Sequence, residues 1–184
     1  MPQPRAYLAG PDVFLPHAAT MARAKAEICA RHGLEGVSPF NPDLDLTAPP
    51  DALWRHIFLD DVALMLGCDL IIANLTPFRG ASADAGTLVE LGWFYARGRP
   101  AFGYSNSADD FATRSRAQMA RSPDPLPGLA VEAFGLHDNL MIPGVLTYGG
   151  GTKLHTPSDG ISRAFDSLEI FELCVAAAAA SLTG

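Results

Sequence analysis

Apolar residues along this chain alternate between two periods. Short unbroken runs, the pattern of buried strands, occur at residues 6–9, 36–38, 70–73 and 100–104. Between them the apolar positions recur at helical spacing. They do so over 17–31, which Gly33 stops, over about 51–67, with Leu53, Ile57, Val62, Leu64 and Leu66, and over 85–96. Residues 39–50 are rich in Pro and Asp and read as a loop. Residues 105–127 are polar, with one short helix near 111–121, and the alanines of 176–180 extend the pattern around Phe171 and Val175 into a C-terminal helix. Strands alternating with helices predict a mostly parallel sheet of about five strands with right-handed crossovers on both faces. The fold class is therefore α/β: a doubly wound, flavodoxin-like (Rossmann-like) sandwich, with 1–184 as one domain.

Open sheets of this kind bind ligands beyond the carboxyl ends of their strands, where strand order reverses. That rule sets the turns after the first and third strands, 10–14 and 74–84, over one crevice. The helix that follows the second turn is unusual. Between Ala85 and Ala96, Glu90 is the only charged residue, among Leu88, Val89, Leu91, Trp93 and Phe94. A solvent-facing glutamate is the ordinary reading, but here the outward face would have to be built from Gly86, Gly92 and apolar neighbours. An inward Glu90 would be desolvated and its pKa raised, as carboxylates at functional sites often are.

Composition removes several alternatives. The formal net charge is −7, from 13 Lys plus Arg against 20 Asp plus Glu, which offers no field for a nucleic acid polymer. Cys29, Cys68 and Cys174 are widely spaced and odd in number, so neither a disulfide framework nor a zinc site is indicated. The five histidines form no close pair of metal-ligand spacing, and no metal is expected. The first turn, GPDVF, lacks the glycines of a dinucleotide fingerprint and holds Asp12 where a phosphate wants donors, so no cofactor is expected. The GGGTK stretch at 149–153 departs from the phosphate-loop arrangement and reads as a surface loop. Neither a signal-peptide segment nor a membrane span is apparent, and the expected location is cytoplasmic, with no membrane partner.

Three motifs in order, YLAGPDVF at 7–14, NLTPFRGASADAGTLVELG at 74–92 and DNLM at 138–141, resemble the nucleoside 2-deoxyribosyltransferases. The resemblance extends from Tyr7 to about Met141. It implies transfer of a 2-deoxyribosyl group between nucleobases by a retaining, ping-pong route through a covalent sugar–glutamate intermediate. By position, Glu90 matches the nucleophile, Tyr7 the tyrosine that orients it, and Asp84 an aspartate that binds and protonates the base. Asp61 matches a second base-side aspartate, and Asn139 the asparagine that a neighbouring subunit inserts to hold the sugar hydroxyl. Gly10, Asp12 and Phe14 belong to the substrate-binding turn, with Phe14 or Phe40 available to stack on the base. The implied partners are 2'-deoxyribonucleosides and free nucleobases, and the implied assembly is a dimer or a trimer of dimers.

Each residue also has an ordinary reading: Asp84 as a helix cap, Asp61 as a solvated helix residue, Tyr7 as a core tyrosine, Asn139 as a turn residue. The nearest rival activity is hydrolysis of 2'-deoxynucleoside 5'-monophosphates, which shares fold and nucleophile. It fits less well, because Asp84 stands where that group carries a small hydroxyl residue, and an acid there repels a phosphate dianion. Arg79 is the one feature that would favour it, against a role in pinning its own turn. A non-catalytic nucleoside-binding module is the rival from another class.

Overall fold

The computed structural model describes residues 2–44, 47, 49–121, 127–150 and 152–182. The chain runs β1 (Arg5–Ala9), α1 (Ala18–Arg31), β2 (Glu35–Val37), α2 (Pro50–Leu66), β3 (Leu70–Asn74), α3 (Ala85–Ala96) and β4 (Ala101–Tyr104). Then follow α4 (Phe111–Arg121), α5 (Met141–Gly149) and α6 (Glu169–Ser181). The strands form a wholly parallel sheet in the order β2-β1-β3-β4, with Ala6 beside Leu70 and Ile71 beside Ala101.

Among the described residues four strands form the sheet, not the five expected from the sequence. Beyond β4 the place of a fifth is taken by a single bridge. His155 N–H donates to Gly103 O at 3.0 Å and its carbonyl accepts from Ser105 N–H at 2.8 Å. Pro157, two residues on, has no N–H with which to continue a ladder. Helix α5 is the second difference, since the sequence pattern around Pro143 and Gly144 gave no sign of it. Pro143 lies in the first turn, where its missing donor costs nothing, and Ile142 and Leu146 reach the core on one face. The 149–153 stretch does not begin as a loop, because Gly149 closes α5. Gly151 lies outside the described residues.

Because successive strand side chains point to opposite faces, the sheet has two cores. One joins Leu8, Ile72 and Phe102 to α1 and α6 through Ile28, Phe171 and Val175. The other joins Tyr7, Ile71 and Ala73 to α2, α3 and α5 through Met65, Leu91, Phe94 and Leu146. The second core matters for function, since its strands hold Tyr7 and α3 holds Glu90 on the same side of the sheet. Among the described residues no helix is long and apolar enough to cross a membrane.

Candidate active site

Tyr7 is fully buried in β1, its ring stacked on Phe94 of α3 with centroids 6.0 Å apart. That packing carries its hydroxyl to Glu90 one turn earlier on the same helix. Tyr7 OH donates to Glu90 Oε1 at 2.7 Å. Glu90 is only partly exposed, and its other surroundings are a cleft of about 640 Å³ beyond the carboxyl ends of β1 and β3. The cleft has an acidic side, Glu90, Asp84, Asp61 and Asp60, and an apolar side that includes Val13, Phe14, Phe40 and Ile57. No lysine or arginine is among its described lining residues.

Electrostatics follow from this enclosure. Burial, and to a smaller extent the charges of Asp61 and Asp84, raise the Glu90 carboxyl to about 7, against the opposing pull of the Tyr7 hydrogen bond. Burial and the neighbouring Asp60 raise Asp61 to about 6. Tyr7 is pushed far above its ordinary value, first by burial and then by Glu90, so its hydroxyl stays a donor at any physiological pH. Asp84 caps α3. Its Oδ2 accepts from Thr87 N–H at 3.0 Å and from Thr87 Oγ1 at 3.1 Å, while Oδ1 has no hydrogen-bond partner among the described residues. One oxygen therefore holds the helix and the other is free for a ligand. Such a set can act as nucleophile and acid on one small polar substrate, flat enough to lie between the carboxylates and the aromatic side.

The chain belongs to a known enzyme family. The sequence model of the nucleoside 2-deoxyribosyltransferase family matches residues 6–141, which include Tyr7, Asp61, Asp84, Glu90 and Asn139. An uncharacterized protein of Schizosaccharomyces pombe is 32% identical over 167 residues, covering 80% of this chain and 79% of that protein. Among solved structures, a 2-deoxyribosyltransferase from Leishmania mexicana is 27% identical with a TM-score of 0.61, covering 94% of this chain and 97% of its own. A conserved protein from Enterococcus faecalis, at 20% identity and a TM-score of 0.55 over 94% of this chain and 97% of its own, shares the fold. So does a 2-deoxyribosyltransferase from Bacillus psychrosaccharolyticus, at 19% identity and a TM-score of 0.50 over 85% of this chain and 87% of its own.

In this member of the deoxyribosyltransferase family Gly10, Phe14, Asp61, Asp84 and Glu90 line one cleft, Tyr7 stands behind it in contact with Glu90, and two other sequence candidates do not line it. Asp12 lies behind the cleft wall, paired with Lys25 and accepting from Asn74 Nδ2 at 3.1 Å. Asn139 sits away from its own chain's cleft, with Nδ2 donating to Glu132 Oε2 at 2.9 Å and Oδ1 accepting from Met141 N–H at 3.1 Å. Among the described residues Arg79 has no carboxylate partner and no hydrogen bond to a carbonyl of its own turn. Its guanidinium lies 4.8 Å from the Phe78 ring centre and 5.7 Å from that of Phe14.

Sequence reasoning missed Asp60 and Thr87 in the cleft, and it missed Asp138. The buried Asp138 carboxylate accepts from Ser82 Oγ at 2.6 Å and Ala83 N–H at 3.0 Å, fastening the DNLM segment to the loop that delivers α3. Its place inside the third motif was the only signal available. Among the described residues, no group of His, Cys, Asp and Glu could hold a metal ion.

Proposed function

We propose that the protein transfers 2-deoxyribose between nucleobases, with Glu90 as the nucleophile. The observation that carries this reading is a carboxylate raised to about 7, oriented by a buried tyrosine and opening onto a cleft that is acidic on one side and aromatic on the other. Glu90 attacks C1' of a deoxynucleoside as the N-glycosidic bond breaks. The departing base keeps the bonding electron pair and takes a proton from Asp84 or from Asp61, the latter raised by burial and by Asp60 so that it holds its proton further up the pH scale than an ordinary aspartate. A second base then attacks C1' from the face the first one left, returns a proton to the same acid and releases the Glu90 carboxylate, with net retention. Water in place of the second base gives slow hydrolysis.

The acidic lining supports unphosphorylated nucleosides over 5'-monophosphates, since carboxylates at this range repel a dianion. Assembly is part of the proposal. Trp54, Phe58 and Leu59 on α2 and Val89 on α3 are large apolar side chains 56%, 57%, 63% and 72% exposed, a surface suited to cover by a partner. We assign it to a second copy of the chain, which brings Asn139 to the sugar of its neighbour, in a reducing cytoplasmic setting that suits three free buried cysteines. Incubation with deoxyinosine and adenine, followed by chromatography, tests the reading. Deoxyadenosine is expected. Hypoxanthine without deoxyadenosine would make the protein a hydrolase, and an unchanged mixture would leave only a binding module.

A further inference from the structure

Asp12 was a candidate for touching substrate, yet its carboxylate is spent behind the cleft. One oxygen meets the Lys25 ammonium from α1, and the other accepts from the amide of Asn74 at the end of β3. These groups are out of water: Lys25 is 3% exposed and Asn74 is wholly buried. The ammonium also lies 5.4 Å from the Tyr104 ring centre and 5.1 Å from that of Phe171, cation–π contacts that fix its place. From Asn74 the chain of bonds continues. Asn74 Oδ1 accepts from Thr76 N–H at 3.1 Å, and Thr76 Oγ1 accepts from Asn106 N–H at 3.0 Å beyond β4.

One carboxylate thus ties α1, the turn Pro11–Phe14 and the tip of β3 together, and that turn presents Val13 and Phe14 to the cleft. Gly10, where the turn begins, has no room to shift toward β3. A Cβ there would stand 2.7 Å from Asn74 Cβ and 2.7 Å from Asp12 Oδ2. A buried ion pair is a poor source of stability, since apolar residues of similar size often do as well, but it fixes position sharply. We propose that Lys25 and Asp12 are positioning residues that set the Val13–Phe14 wall against which the nucleobase packs, governing substrate affinity and leaving bond breakage to the carboxylates opposite. This rests on the nucleoside-transfer reading above.

The test uses the full chain with deoxyinosine and adenine. Lys25→Met leaves a buried carboxylate unpaired, a strong perturbation. Asp12→Asn is milder, because it preserves shape and an oxygen that can still accept from Lys25 or from Asn74. Circular dichroism and thermal melting establish that each variant folds. KM for deoxyinosine is expected to rise about tenfold in Lys25→Met and about threefold in Asp12→Asn, with kcat within about threefold of wild type and its pH profile unmoved. A folded variant with wild-type KM overturns the proposal, as does a fall in kcat at unchanged KM. Should Lys25→Met not fold, Asp12→Asn decides by the same criteria. If the wild-type protein exchanges no base, the transfer reading fails instead. Calorimetric binding of deoxyinosine to wild type and variants then judges the pair, an unchanged Kd overturning it.

Discussion

The carboxylate at position 90 is held in a conflict that its neighbours tune from opposite directions. Burial, Asp61 and Asp84 favour its neutral form, whereas the Tyr7 hydroxyl favours its charged form. A nucleophile must be ionised, so transfer should lose activity as pH falls below about 7. Tyr7→Phe removes the one group that favours the anion and should move this acid limb to higher pH. Asp61→Asn removes a like charge and should move it to lower pH. Profiles of kcat/KM for the three proteins check both signs, and shifts in one common direction would contradict them.

The same conflict has a cost in stability. With a native pKa above the unfolded value, Glu90 binds more protons folded than unfolded between about pH 4.3 and 7, so stability declines as pH rises through that window. Glu90→Gln keeps an acceptor for Tyr7 without the charge. At pH 8 it should therefore be more stable than wild type by about 1–2 kcal/mol, or roughly 3–6 °C in Tm, and near wild type at pH 4. Thermal melts at the two pH values read this out.

At the scale of elements, α3 is the part of the site most fully written in the sequence. Its bounds, its acidic cap and its single charged residue all lie within one continuous stretch, and short-range chemistry decides all three. Asp84 should separate its two tasks on substitution. Asp84→Asn keeps the cap and the melting temperature, whereas Asp84→Ala loses about 1 kcal/mol, read as a Tm lower by roughly 2–4 °C. Both should slow transfer.

Elements whose roles depend on distant partners were harder to read. Asp12 looked like a ligand-facing acid because nothing local reveals that Lys25, a turn and a helix away, would claim its carboxylate. The fifth strand was expected from the alternation of elements, and Pro157 limits what the chain places there to a single bridge. Helix α5 was hidden by Pro143 and Gly144, and only the sheet face beneath it explains why Ile142 and Leu146 fold onto β4.

At the scale of the whole molecule, the proposed site draws on two chains. Phe58→Glu places a charge in the exposed apolar surface of α2, so sedimentation should show smaller particles, and transfer should drop more than about tenfold as neighbouring Asn139 is withdrawn. Glu90→Gln and Asn139→Ala should each be nearly inactive alone. Mixed, dissociated and reassociated as dimers, they should recover up to about a quarter of wild-type activity, because half the dimers are mixed and each of those has one intact site of two. No recovery would mean that each chain builds its site by itself.

The central claim is that a single side chain forms the bond to the sugar, and purified Glu90→Ala puts it to the most direct test. Its rate of deoxyadenosine formation from deoxyinosine and adenine should fall by at least about a thousandfold, with a cooperative melt showing that the fold is intact. Exchange at the wild-type rate by that folded variant would contradict the account.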